Sequence, residues 1–121
     1  VLLRKAAGLE EPVCPTEAYA GCADAIASDP GVDAVVVAGV PATPALETLA
    51  RSDEHGEDIS RPGSYPSRLI ETFRASAKPI VFSVDSGSLY EPCVRRMREA
   101  GLPCFRKVDR AMRALGAFVV R

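Results

Sequence analysis

An α/β domain built on a doubly wound parallel sheet is the fold this sequence predicts. Two observations carry that prediction. Two apolar runs, Val32–Ala38 and Ile80–Val84, are each followed by a turn-rich step and then by a segment with helical spacing. Strands that alternate with helices become parallel neighbours joined by right-handed crossovers. At 121 residues the chain is long enough for one domain with an ordinary core.

The elements follow in order. Val1–Glu11 has no period and ends in charge, so it reads as a linker or the end of a preceding unit. Residues 12–121 read as a single domain. Pro12–Cys14 is a candidate short edge strand. Thr16 is suited to cap a helix over Glu17–Ser28, where Tyr19, Cys22, Ala23 and Ile26 recur at helical spacing. Asp29-Pro30-Gly31 is a stop and turn. Val32–Ala38 is apolar except for Asp33, as befits a strand covered on both faces. Thr43 is then a good N-cap and Pro44 a good first helical residue, which predicts a helix from Thr43 to about Ala50.

Arg51–Tyr65, with Gly56, Pro62, Gly63 and four acidic residues, reads as a long surface loop. Pro66–Ala75 is a helix with Leu69, Ile70 and Phe73 on one face. Ile80–Val84 is the next strand, and Asp85–Ser88 is a second strand-to-helix loop. A helix over about Leu89–Ala100 buries Leu89, Cys93, Val94 and Met97, and Gly101 caps it. Leu102–Phe105 is a short strand. Asp109–Val119 is a final amphipathic helix with Ala111, Met112, Leu115, Phe118 and Val119 turned inward. The sum is a flavodoxin-like domain whose parallel sheet has four strands, or five at most.

Composition narrows the function classes. A net charge of −1 gives no basic excess for nucleic acid. No apolar run approaches a membrane span, and Val1-Leu2-Leu3 runs straight into Arg4-Lys5, unlike a signal peptide. Cys14, Cys22, Cys93 and Cys104 lack CxxC spacing and histidine partners, so they read as reduced, packed thiols of a cytoplasmic protein. There is no GxGxxG, no P-loop and no nucleophile elbow.

The loops at the strand ends are the remaining candidates. Gly39, Val40, Ala42 and Thr43 precede a predicted helix N-terminus, whose free N–H groups and partial positive charge suit phosphate or carboxylate. Ser86, Gly87 and Ser88 form a second candidate anion loop. His55, the single histidine, and the acidic group Asp53, Glu54, Glu57 and Asp58 read as solvated surface; their spacing fits no calcium loop and no metal site. Asp85 ends a strand as the phosphoacceptor of a receiver domain does, and Lys107 follows the last strand. The acidic pair of such domains is absent, and Asp85 reads first as a turn residue.

An ordered set of segments resembles a known family. The set is Pro12-Val13 before a helix, SDPGVDAVVV at Ser28–Val37, Pro41–Leu49, Lys78-Pro79-Ile80-Val81, EAGLPCFR at Glu99–Arg106 and DRAMRALGAFV at Asp109–Val119. Together they resemble the second flavodoxin-like ligase domain of NDP-forming acyl-CoA synthetases, the superfamily of succinyl-CoA synthetase. The likeness runs from about Glu11 to Arg121.

The resemblance implies a ligase that makes acyl-CoA from a carboxylate, CoA and ATP through a phosphohistidine on another domain. This domain would hold no catalytic residue, no metal and no cofactor of its own, although the whole enzyme uses CoA, ATP and Mg2+. Its partners would be an ATP-grasp domain, a CoA-binding domain and a histidine-bearing ligase domain, with no nucleic acid and no membrane. Gly39–Thr43 would face the phosphohistidine. The family's paired glycines are here Gly39-Val40, and its Asn-Pro-Val-Asp is Glu11-Pro12-Val13-Cys14. A non-catalytic flavodoxin-like assembly module is the alternative, and a receiver-like switch the third.

Overall fold

The computed structural model describes residues 14–43 and 45–120. Among them the chain runs α1 (Thr16–Ser28), β1 (Val35–Gly39), α2 (Tyr65–Ala75), β2 (Ile80–Val84), a 3-10 turn at Ser88–Tyr90, α3 (Glu91–Glu99), β3 (Cys104–Phe105) and α4 (Val108–Val119). The α/β class and the parallel sheet are as the sequence predicts. Among the described residues the sheet has three strands in the order β1-β2-β3, where the sequence predicts four or five. Pro12 and Val13 of the candidate edge strand lie outside the described residues, and Cys14 belongs to no strand.

Register is continuous along the central pair, with Val35 opposite Ile80 and Gly39 opposite Val84. Phe82 and Ser83 pair with Cys104 and Phe105. Successive side chains of a strand point to opposite faces. Val35, Val37, Ile80, Phe82 and Val84 accordingly join one core with Ala20 and Ala23 of α1, Leu69 and Ile70 of α2, and Cys93, Val94 and Met97 of α3. Phe73 meets Phe82 edge-on with ring centroids 6.1 Å apart. Helix α4 packs on β2, β3 and β1, and its Ala111 is fully buried. Every residue of β2 is buried, as a central strand covered on both faces requires.

Several local expectations are corrected. The helix predicted from Thr43 to Ala50 does not form. Thr43 does begin a turn: its hydroxyl accepts the Ala45 N–H at 3.3 Å, and its carbonyl accepts the Leu46 N–H. Beyond it the backbone bonds leave the segment. The Glu47 N–H goes to the Thr16 hydroxyl at 3.3 Å, those of Thr48 and Leu49 go to the Glu57 carboxylate, and the Glu47 and Leu49 carbonyls accept from Tyr65 and Ile59. These long-range partners satisfy groups that a short helix of middling propensity would otherwise satisfy itself.

Residues 51–65 therefore form no simple surface loop, since Ile59, Ser64 and Tyr65 are buried. Ser64 caps α2, accepting the Ser67 N–H. Thr16 lies inside α1 as a buried residue and does not cap it; Pro15 is the N-cap. Leu89 sits in the 3-10 turn ahead of α3 and is exposed, as is Ile26 of α1. On α4 the predicted inner face is only partly inward: Met112, Phe118 and Val119 are exposed. Gly101 has φ 90 and ends α3 in the left-handed conformation, as its position after the helix predicts.

Candidate functional site

In parallel sheets ligands collect beyond the carboxyl ends of the strands. Here that edge carries the Gly39–Thr43 loop, the Asp85–Ser88 loop and Arg106-Lys107 after β3. The strand order never reverses among the described strands, so this edge lacks the crevice that a topological switch point opens.

The first two loops are joined directly, the Asp85 N–H donating to the Gly39 carbonyl at 3.1 Å. Gly39 is enclosed by two tyrosines. A Cβ there would lie 2.5 Å from the Tyr65 oxygen and 3.3 Å from the Tyr19 oxygen. Tyr19 donates its hydroxyl to the Ala38 carbonyl at 2.6 Å. The two rings pack at 5.4 Å, tilted by 49°. Both phenol oxygens thus close over the end of β1. Burial raises both phenol pKa values, that of Tyr65 well above its ordinary range. Sequence reasoning assigned neither tyrosine to this edge. The signal was a glycine ending an apolar strand, with a tyrosine in the first turn of each of two helices.

Of the first predicted anion loop, Val40 and Ala42 are exposed and Thr43 is half-buried. The Thr43 N–H turns back to the Pro41 carbonyl at 2.7 Å, and no helix N-terminus stands behind the loop. The N–H groups that do converge, those of Thr48 and Leu49, meet the Glu57 Oε2 at 2.7 and 3.0 Å. Glu57 is held in turn by the His55 Nδ1, which accepts the Glu57 N–H at 3.2 Å. Beside it, the Glu47 Oε1 accepts from the Asp58 N–H and from Arg61. His55 and Glu57, expected to be solvated, are therefore half-buried parts of a brace that folds 51–65 back onto the body.

The second predicted loop keeps its relation to a helix start, since Gly87 precedes the 3-10 turn that leads into α3. Arg106 donates to the carbonyls of Ser86 and Gly87 and pairs with Glu91. The Lys107 Nζ lies 2.7 Å from the Asp85 carboxylate. Charges at this edge thus balance in two ion pairs. The Ser86 hydroxyl is buried without a hydrogen-bond partner, while Ser88 is exposed.

The thiols do not form a site. Cys93 and Cys104 are buried, and desolvation pushes their pKa values up to about 12 and about 11; Cys14 and Cys22 are half-buried and free. No group of three or more metal-ligating side chains gathers among the described residues. No described helix is long and apolar enough to cross a membrane. Comparison with protein-family models, curated proteins and solved structures finds no match to this chain.

Proposed function

We propose that this chain is a flavodoxin-like domain of an NDP-forming acyl-CoA synthetase. In this reading it has no catalytic residue of its own and braces the ATP-grasp, CoA-binding and histidine-bearing domains. One observation supports the reading above the others: three of the segments that carry the resemblance fall on the three consecutive strands of one parallel sheet. SDPGVDAVVV spans the end of α1 and the start of β1, Lys78–Val81 opens β2, and EAGLPCFR runs from the end of α3 through β3.

The resemblance also implies a loop that faces the phosphohistidine. Of the two candidates, the Ser86–Ser88 loop suits an anion better than Gly39–Thr43. It leads through a 3-10 turn into α3, whereas no helix start stands behind Gly39–Thr43. CoA, ATP and Mg2+ belong to the whole enzyme in this proposal, not to this domain.

The test is reconstitution with the ATP-grasp and histidine-bearing segments of the same gene or operon. The expected result is ATP- and CoA-dependent thioester formation that requires this chain. Equal rates without it, or the absence of such segments from the gene and its neighbours, would sink the reading and leave an assembly module.

The Asp85–Lys107 ion pair favours a second reading, a receiver-like phosphoacceptor. Incubation with acetyl phosphate and Mg2+ should then add one phosphoryl group at Asp85, lost in Asp85→Asn. An unchanged intact mass would exclude it.

A further inference from the structure

At the amino end of β2 and β3, away from the loops above, a groove of about 660 Å³ runs between the α2–β2 connection and the C-terminal half of α4. Phe73, Phe105, Leu115 and Phe118 line it, with Val81 from the sheet at its base. Phe118 is 66% exposed, so the groove is open to solvent along its α4 wall.

The charges along the groove are all of one sign. Its charged lining residues are Arg74 and Lys78, and no acidic side chain lines it. Arg74, in the last turn of α2, takes part in none of the ion pairs among the described residues. Lys78 donates to the neutral Asp29 carbonyl, which leaves its positive charge uncompensated. An apolar trough with cations at its rim is complementary to a molecule with an apolar body and one anionic end. The volume falls in the range of small-ligand sites, roughly 300–1,000 Å³.

We propose that this groove binds a medium-chain aliphatic carboxylate, with the chain laid across Phe105, Leu115 and Phe118 and the carboxylate facing Arg74 and Lys78. The inference does not depend on the synthetase reading, and its test requires no other domain.

The test is a titration of the isotopically labelled full chain with decanoate, below its micelle-forming concentration, followed by amide chemical shifts. Saturable shifts should centre on residues 73–81, 103–105 and 114–118. Decanol, with the same chain and no charge, should bind about tenfold more weakly, as should the charge reversal Arg74→Glu. Phe118→Ser, at an exposed position, should keep the amide spectrum of the fold and weaken binding about tenfold. Shifts that do not saturate, shifts centred elsewhere, or decanol binding as tightly as decanoate would each overturn the proposal. So would a preference for an acidic amphipathic peptide over decanoate at this groove, which would make it a protein-docking site.

Discussion

The Glu57 carboxylate lies 2.7 Å from the Thr48 nitrogen and 3.0 Å from the Leu49 nitrogen, so the chain's own anion fills the converging amides that follow β1. Removing it leaves two donors without their acceptor. Glu57→Ala should destabilise the fold by about 1–3 kcal/mol, and Glu57→Gln by less, since its amide oxygen can still accept. Denaturant unfolding of the two variants checks the order; equal stability of wild type and Glu57→Ala would refute the brace.

Gly39 and Tyr65 make a second pair with a measurable coupling. Gly39→Ala drives a methyl group to 2.5 Å from the Tyr65 oxygen, and Tyr65 is 1% exposed, so it cannot swing away into solvent. Overpacking of this kind costs about 1–3 kcal/mol. In the Tyr65→Phe background, where that oxygen is gone, the same substitution should cost clearly less. A double-mutant cycle by chemical denaturation measures the difference, and simple additivity would contradict the close approach.

The buried phenol of Tyr65 sets an alkaline limit. Its folded pKa is raised by burial well above the usual value of 10.0. The stability this supplies is present below the unfolded pKa and is lost as pH rises above it, because the unfolded chain then loses the proton first. Phenolate absorbance should show Tyr65 ionising together with unfolding and not before it. Tyr65→Phe should move alkaline unfolding to higher pH, measured against its own stability at neutral pH.

Alkylation should divide the cysteines. Cys93 and Cys104 are buried, with thiol pKa values pushed up to about 12 and about 11, and only thiolates react readily. In the native protein near pH ~8, iodoacetamide should modify Cys14 and Cys22 while sparing Cys93 and Cys104. All four should react after denaturation. Peptide mass mapping reads the outcome, and rapid native labelling of Cys93 would show that its burial is not maintained.

Local chemistry explains which elements were legible. The stop at Asp29-Pro30-Gly31, the apolar Ile80–Val84 and the capping Gly101 each act through neighbouring residues and appear as read, while the strand read over Val32–Ala38 forms as Val35–Gly39. Where the reading failed, the deciding partner was distant in sequence. Thr43-Pro44 has the chemistry of a helix start, yet Glu57, Thr16 and Tyr65 take the bonds that a helix over 43–50 would have made. Met112 and Val119 fall on the apolar side of α4, but the described strands cover only part of that arc and leave both exposed.

The same division runs through the candidate sites. By itself the sequence determined the α/β class, the parallel direction of the strands and the loops at their carboxyl ends, because periodicity and turn residues are short-range. Tertiary structure alone decided three things: that the order of the described strands does not reverse, that Gly39 is walled by Tyr19 and Tyr65, and that Glu57 holds the amides of Thr48 and Leu49. Each depends on which groups meet across the fold, and a buried N–H takes whatever acceptor packing brings within reach.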